Sequence, residues 1–69
     1  MKVLLGERLR MLRLERGLNQ TQLADGLQTT QRKISYWEMG KTEPDIVSIL
    51  KICEYFDVSA DFLLGRKDY

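Results

Sequence analysis

The stretch NQTQLADGLQTTQRKISYWEMG, residues 19–40, decides how this chain of 69 residues folds. It divides into two short apolar patterns around a polar break at Gln28–Thr29. In the first, Asn19 stands where a helix N-cap belongs and Gln22 follows three residues on, a variant of the capping box. The helix so opened, about residues 20–27, buries Leu23, Ala24 and Leu27. In the second, Thr30 caps a helix of about residues 31–39 that buries Ile34 and Trp37. Gly40, which enters left-handed backbone without a Cβ clash, ends it. A helix face needed only for solubility is served by Glu and Lys. This one opens with Thr30, Gln31, Arg32 and Lys33 and adds Tyr36, groups suited to reading a patterned surface.

Working outward, Leu5, Leu9 and Leu12 repeat at helical spacing, with Arg8, Arg10, Arg13 and Arg16 between and beyond them. This predicts an amphipathic helix over about 5–16, stopped at Gly17, with Leu18 as a buried link. After the loop Lys41–Pro44, Asp45 caps a fourth helix whose apolar stripe reads Ile46, Ile49, Leu50, Cys53 and Phe56. Ser59 caps a last short helix with Leu63 and Leu64 inward. No segment reads as a strand. The expected fold is all-α, a compact five-helix bundle forming a single domain over residues 1–69. Its second and third helices, joined by a short turn and polar on the outside of the second, make a helix-turn-helix over about 20–39. Ala24 is small enough to let the two backbones approach closely.

Composition narrows the chemistry. The chain is 43% hydrophobic and 30% charged, a globular balance with no low-complexity tract. It has no histidine and a single cysteine, Cys53, on the apolar face of the fourth helix. A disulfide within the chain and a cysteine-based zinc site are therefore excluded, and Cys53 is expected to be a small core residue. No glycine-rich phosphate cradle is present, and no paired-acid cleft fits so small a body. No catalytic residue, metal or cofactor is expected, and an enzyme is the least favoured class. No apolar run approaches the length of a membrane span, so a cytoplasmic protein is the default expectation. Net charge is only +1, yet it is unevenly placed. Residues 1–41 carry eight Lys/Arg against four Asp/Glu, and residues 42–69 carry three against six. A chain polarised in this way has one side suited to an anion.

The segments GERLRMLR, GLNQTQLADGL, TTQRKIS, YWEMGKTEP and FDVSADFLLG together resemble the Cro and phage-repressor type helix-turn-helix family, the xenobiotic-response-element type of bacterial regulator. The resemblance covers residues 6–65 and implies a lambda-repressor-like DNA-binding domain. It implies that Thr30, Gln31, Arg32 and Tyr36 face base edges in the major groove. It implies that Gln20 and Lys41 meet the DNA backbone, and that Arg13 and Glu38 tie the first helix to the third. The region of Ala60 and Phe62 is implied as a dimer contact. Lys33 turns aside and is expected on the backbone, as are the arginines of the first helix. Two departures stand out: Gln28 occupies the turn position where the family usually has glycine, with a glycine instead at Gly26 inside the second helix, and Thr29 stands where an apolar residue usually follows. A left-handed glutamine costs about 1 kcal/mol.

The function expected from this reading is sequence-specific binding of double-stranded DNA by a bacterial or phage transcriptional regulator, most simply a repressor. It would act as a homodimer on a partly palindromic operator, with no membrane partner and no small-molecule ligand. The alternative is a protein-interaction module or antitoxin that uses the same fold to hold a protein partner.

Overall fold

A computed structural model describes residues 3–68. Five helices follow one another, α1 (Leu5–Glu15), α2 (Gln20–Leu27), α3 (Gln31–Met39), α4 (Ile46–Phe56) and α5 (Ala60–Leu64), with no strand among the described residues. The bundle measures 28 × 23 × 20 Å. Helix α3 is central. It packs against α1 and α2, while α4 and α5 close the far side by packing on α2, on α1 and on each other.

Four of the five helices start on the side-chain caps expected. Asn19 Oδ1 accepts from the Gln22 amide at 2.7 Å, and Gln22 Oε1 accepts in return from the Asn19 amide at 2.9 Å. Thr30, Asp45 and Ser59 accept from the backbone amides of Lys33, Ser48 and Phe62. Each such cap satisfies a donor that the helix cannot satisfy itself, worth about 1 kcal/mol. The core these helices enclose holds Leu5, Leu9, Leu12, Leu23, Ala24, Leu27, Ile34, Trp37, Ile52, Phe56 and Leu63.

The fourth helix corrects the expected stripe. Ile46 and Leu50 are 76% and 56% exposed, whereas Ile52 is fully buried with Phe56. Ile49 and Cys53 lie at the edge of the core, half-buried. Eight of the eleven residues of α4 are apolar or aromatic, so the sequence offers more than one possible inner face. The choice falls to the surfaces α2 and α5 present to it. Cys53 is accordingly a rim residue, not a core one, and burial pushes its thiol above the ordinary value.

The turn between α2 and α3 is drawn through Gln28, at φ 59° and ψ 44°. The glutamine occupies the left-handed conformation that glycine would take without a Cβ clash. Gln28→Gly is therefore expected to stabilise the fold by about 1 kcal/mol, raising the thermal midpoint by about 4–8 °C in a domain of this size. An unchanged or lowered midpoint in a calorimetric scan would show that the side chain makes up for the strain. The glycine missing from the turn and the one inside α2 have separate causes. A Cβ on Gly26 would come within 2.6 Å of Cε2 of Tyr55, so the bare backbone there makes room for that ring.

Candidate nucleic-acid interface

Ile34 and Trp37 sink one side of α3 into the core, which turns the other side outward. At 100° per residue, Arg32 and Tyr36 lie about 40° apart on the outward side. Gln31 lies only about 60° from Ile34, on the flank that meets α2. Gln31, Arg32 and Lys33 are all exposed in the first turn of α3. Thr30 is exposed beside them, its hydroxyl oxygen engaged by the Lys33 amide. Ser35, which the sequence reading passed over, lies between the directions of Gln31 and Arg32 and is half-buried. Its signal was spacing: it is four residues from Gln31 and three from Arg32.

Tyr36 is half-buried, and the ammonium of Lys41 lies 5.3 Å from its ring centroid. The Lys41 amide also donates to the Tyr36 carbonyl at 2.9 Å, so backbone and side chain both hold Lys41 beside the end of α3. Lys33 faces the start of α4. There, hydrogen bonds from Ser48 hold the Asp45 carboxyl below the usual carboxylate range, with smaller Coulombic help from Lys33 and Lys51.

Behind this surface runs a polar chain. Arg13 donates from Nε to Glu38 Oε2 at 2.7 Å and from Nη2 to Oε1 at 3.0 Å. The two side chains are 9% and 4% exposed. The Glu38 hydrogen bond raises the Arg13 pKa above its ordinary value, against the opposing effect of burial. Arg13 also donates to the Leu18 carbonyl at 2.9 Å, which fastens the link ahead of α2. Gln20, half-buried, donates to Glu38 Oε1 at 3.2 Å and accepts from Gln31 Nε2 at 2.6 Å. Residues from α1, α2 and α3 thus meet in one network, and the expected tie between Arg13 and Glu38 is its centre.

Two other expected contact regions are engaged within the molecule. Of the arginines of α1 and its C-cap, Arg8, Arg13 and Arg16 all meet groups of this chain. Arg8 lies 4.4 Å from the Phe62 ring centroid and pairs with Asp68. Arg16 lies over Tyr55 and Phe56 and donates to both their carbonyls. Phe62 is half-buried with the Arg8 guanidinium over its ring, and Ala60 is exposed. Exposed large apolar side chains occur on α4, at Ile46, Val47 and Leu50, and also at Val3, at Met11 and Leu14 on α1, and at Met39 on α3. No group of residues suited to a metal ion occurs among the described residues, and no described helix is long and apolar enough to cross a membrane.

Two helices bracketed by an αL turn, with amides and cations leading the second, define a helix-turn-helix. The chain belongs to the Cro/C1-type helix-turn-helix family of DNA-binding regulators, whose sequence profile matches residues 9–63. Over 59 residues it is 41% identical to the SPbeta prophage-derived uncharacterized HTH-type transcriptional regulator YonR of Bacillus subtilis (strain 168), a match covering 86% of this chain and 55% of that protein. It shares 34% identity and a TM-score of 0.88 with a transcriptional regulator from Listeria innocua, over 94% of this chain and 61% of that one. With the P22 c2 repressor crystallised in complex with synthetic operator 9T, identity is 30% and the TM-score 0.85, over 91% and 96% of the two chains. The chain spans between 30% and 55% of the length of the curated relatives it matches.

Proposed function

We propose that this chain is a sequence-specific reader of double-stranded DNA for a bacterial or phage transcriptional regulator, most simply a cytoplasmic repressor. It inserts the first turn of α3 into the major groove. The observation that carries this is the placement of Gln31, Arg32 and Lys33, exposed at the start of a helix whose opposite side is locked by Ile34, Trp37 and the buried Arg13–Glu38 pair. Arg32 has the donor fork for guanine O6 and N7, and Gln31 the amide for adenine N6 and N7. Thr30 and Tyr36 border the same edges, while Gln20, Lys33 and Lys41 hold phosphates and fix register.

One copy, 28 Å in its longest dimension, covers little more than a half-site. Two copies related by a two-fold axis, their α3 helices about 34 Å apart, read a partly palindromic operator.

The test compares Arg32→Ala with Lys33→Ala on a site selected from random DNA and on its single-base variants. Arg32→Ala is expected to flatten preference at one position per half-site, a loss of about 1–3 kcal/mol there. Lys33→Ala is expected to weaken all sequences alike. Equal weakening by Arg32→Ala would make it a phosphate contact and remove the base assignment.

A second reading, a protein-binding module or antitoxin on the same fold, draws support from the exposed Ile46, Val47 and Leu50. Salt-sensitive binding to the operator selected from random DNA separates the two, since only DNA reading requires it.

A further inference from the structure

We propose that Glu38, buried behind the reading surface, sets which hydrogen-bonding pattern Gln31 presents to a base. The proposal rests on the DNA-reading function above and goes beyond it by assigning specificity to a residue with no place at the interface.

Paired with Arg13, Glu38 is a carboxylate and can only accept. Gln20 reaches its Oε1 at 3.2 Å and must therefore turn its amide nitrogen inward. That leaves Gln20 Oε1 facing out, where it accepts from Gln31 Nε2 at 2.6 Å. Rotating the Gln31 amide by half a turn would set its oxygen against the Gln20 oxygen, two acceptors with no proton between them. The Gln31 amide is thus held one way round. One of its N–H groups is committed to Gln20, leaving one N–H and the carbonyl oxygen for DNA.

A single donor beside an acceptor matches adenine, whose N7 accepts and whose N6 donates. Guanine presents two acceptors, O6 and N7, and would need both N–H groups. The carboxylate at position 38 therefore favours adenine over guanine through two glutamines, and Glu38 and Gln20 act as positioning residues.

The experiment measures base preference at each operator position by selection from random DNA, followed by binding to single-base variants. It uses the wild type, Gln31→Ala, Glu38→Gln and Gln20→Met. Wild type is expected to prefer adenine about tenfold at one position in each half-site, and Gln31→Ala to erase that preference. Glu38→Gln supplies a side chain that can donate as well as accept, so Gln20 can turn around and release Gln31. Preference at that position alone is expected to widen toward guanine, with the position read by Arg32 unchanged. Gln20→Met cuts the chain of hydrogen bonds while keeping the Arg13–Glu38 pair, so it decides the matter if Glu38→Gln fails to fold. Folded Glu38→Gln and Gln20→Met proteins that keep the full adenine preference would overturn the inference alone. A wild type without sequence preference would overturn the DNA-reading function and this inference with it.

Discussion

Glu38→Ala is expected to lower the midpoint of thermal unfolding by more than about 10 °C. The glutamate carboxylate takes two hydrogen bonds from Arg13 and one from Gln20 in a site almost closed to water. Removing it leaves the Arg13 guanidinium buried with only the Leu18 carbonyl as a protein acceptor. A buried charge stripped of its partner costs about 3–5 kcal/mol. In a domain of 60–100 residues, each kcal/mol moves the midpoint by about 4–8 °C. Circular dichroism melting of the variant measures the effect directly. A midpoint within a degree or two of wild type would mean that water reaches Arg13 and that the pair is not shielded. Replacing both partners by apolar residues of similar volume should cost less than the single change, because no orphaned charge remains.

Gly6→Ala is the second large effect, and its sign is informative. Gly6 lies in the first turn of α1, where alanine is normally the better helix former by about 1 kcal/mol. Here a Cβ would come within 2.7 Å of the carbonyl oxygens of both Trp37 and Glu38. Those atoms belong to the backbone of α3 and cannot swing away as the tip of a side chain can. The two helices must separate, and overpacking of this kind costs about 1–3 kcal/mol. Urea unfolding should show a lower midpoint with an unchanged slope. A variant as stable as wild type would show that α1 gives way at that crossing.

These two positions illustrate what could be read from the sequence. Glu38 was placed with Arg13 by resemblance, and the five helices follow from caps and apolar spacing that act over four residues or fewer. Asn19, Thr30, Asp45 and Ser59 each mark a helix start without any knowledge of the fold. The inner face of α4 was not legible, because a helix apolar on most sides is sorted only by its neighbours. The guanidinium over Phe62 was not legible for a related reason, since it comes from Arg8, distant in sequence. The candidate site was legible as a set of exposed side chains at the start of α3, Gln31, Arg32 and Lys33 foremost. The hydrogen bonds joining Gln31 to Gln20 and Glu38 cross between helices, and spacing along the chain does not encode them.

The arginines of α1 carry a consequence for how such a molecule searches a chromosome. Arg8 and Arg16 cover aromatic rings, and Arg13 is closed inside the bundle. The cations on and beside α3 are then chiefly Arg32, Lys33 and Lys41. Each phosphate neutralised adds roughly −0.9 to the slope of log K against log[salt], so if the proposed dimer holds, its few cations per half-site should grip arbitrary DNA weakly. Weak grip on bulk sequence means short dwell times between encounters and little sequestration by the rest of the genome. Adding excess unrelated DNA to an operator-binding assay should accordingly shift half-saturation only slightly. On the proposed function, a small shift would mean that occupancy of the site follows the number of copies the cell makes.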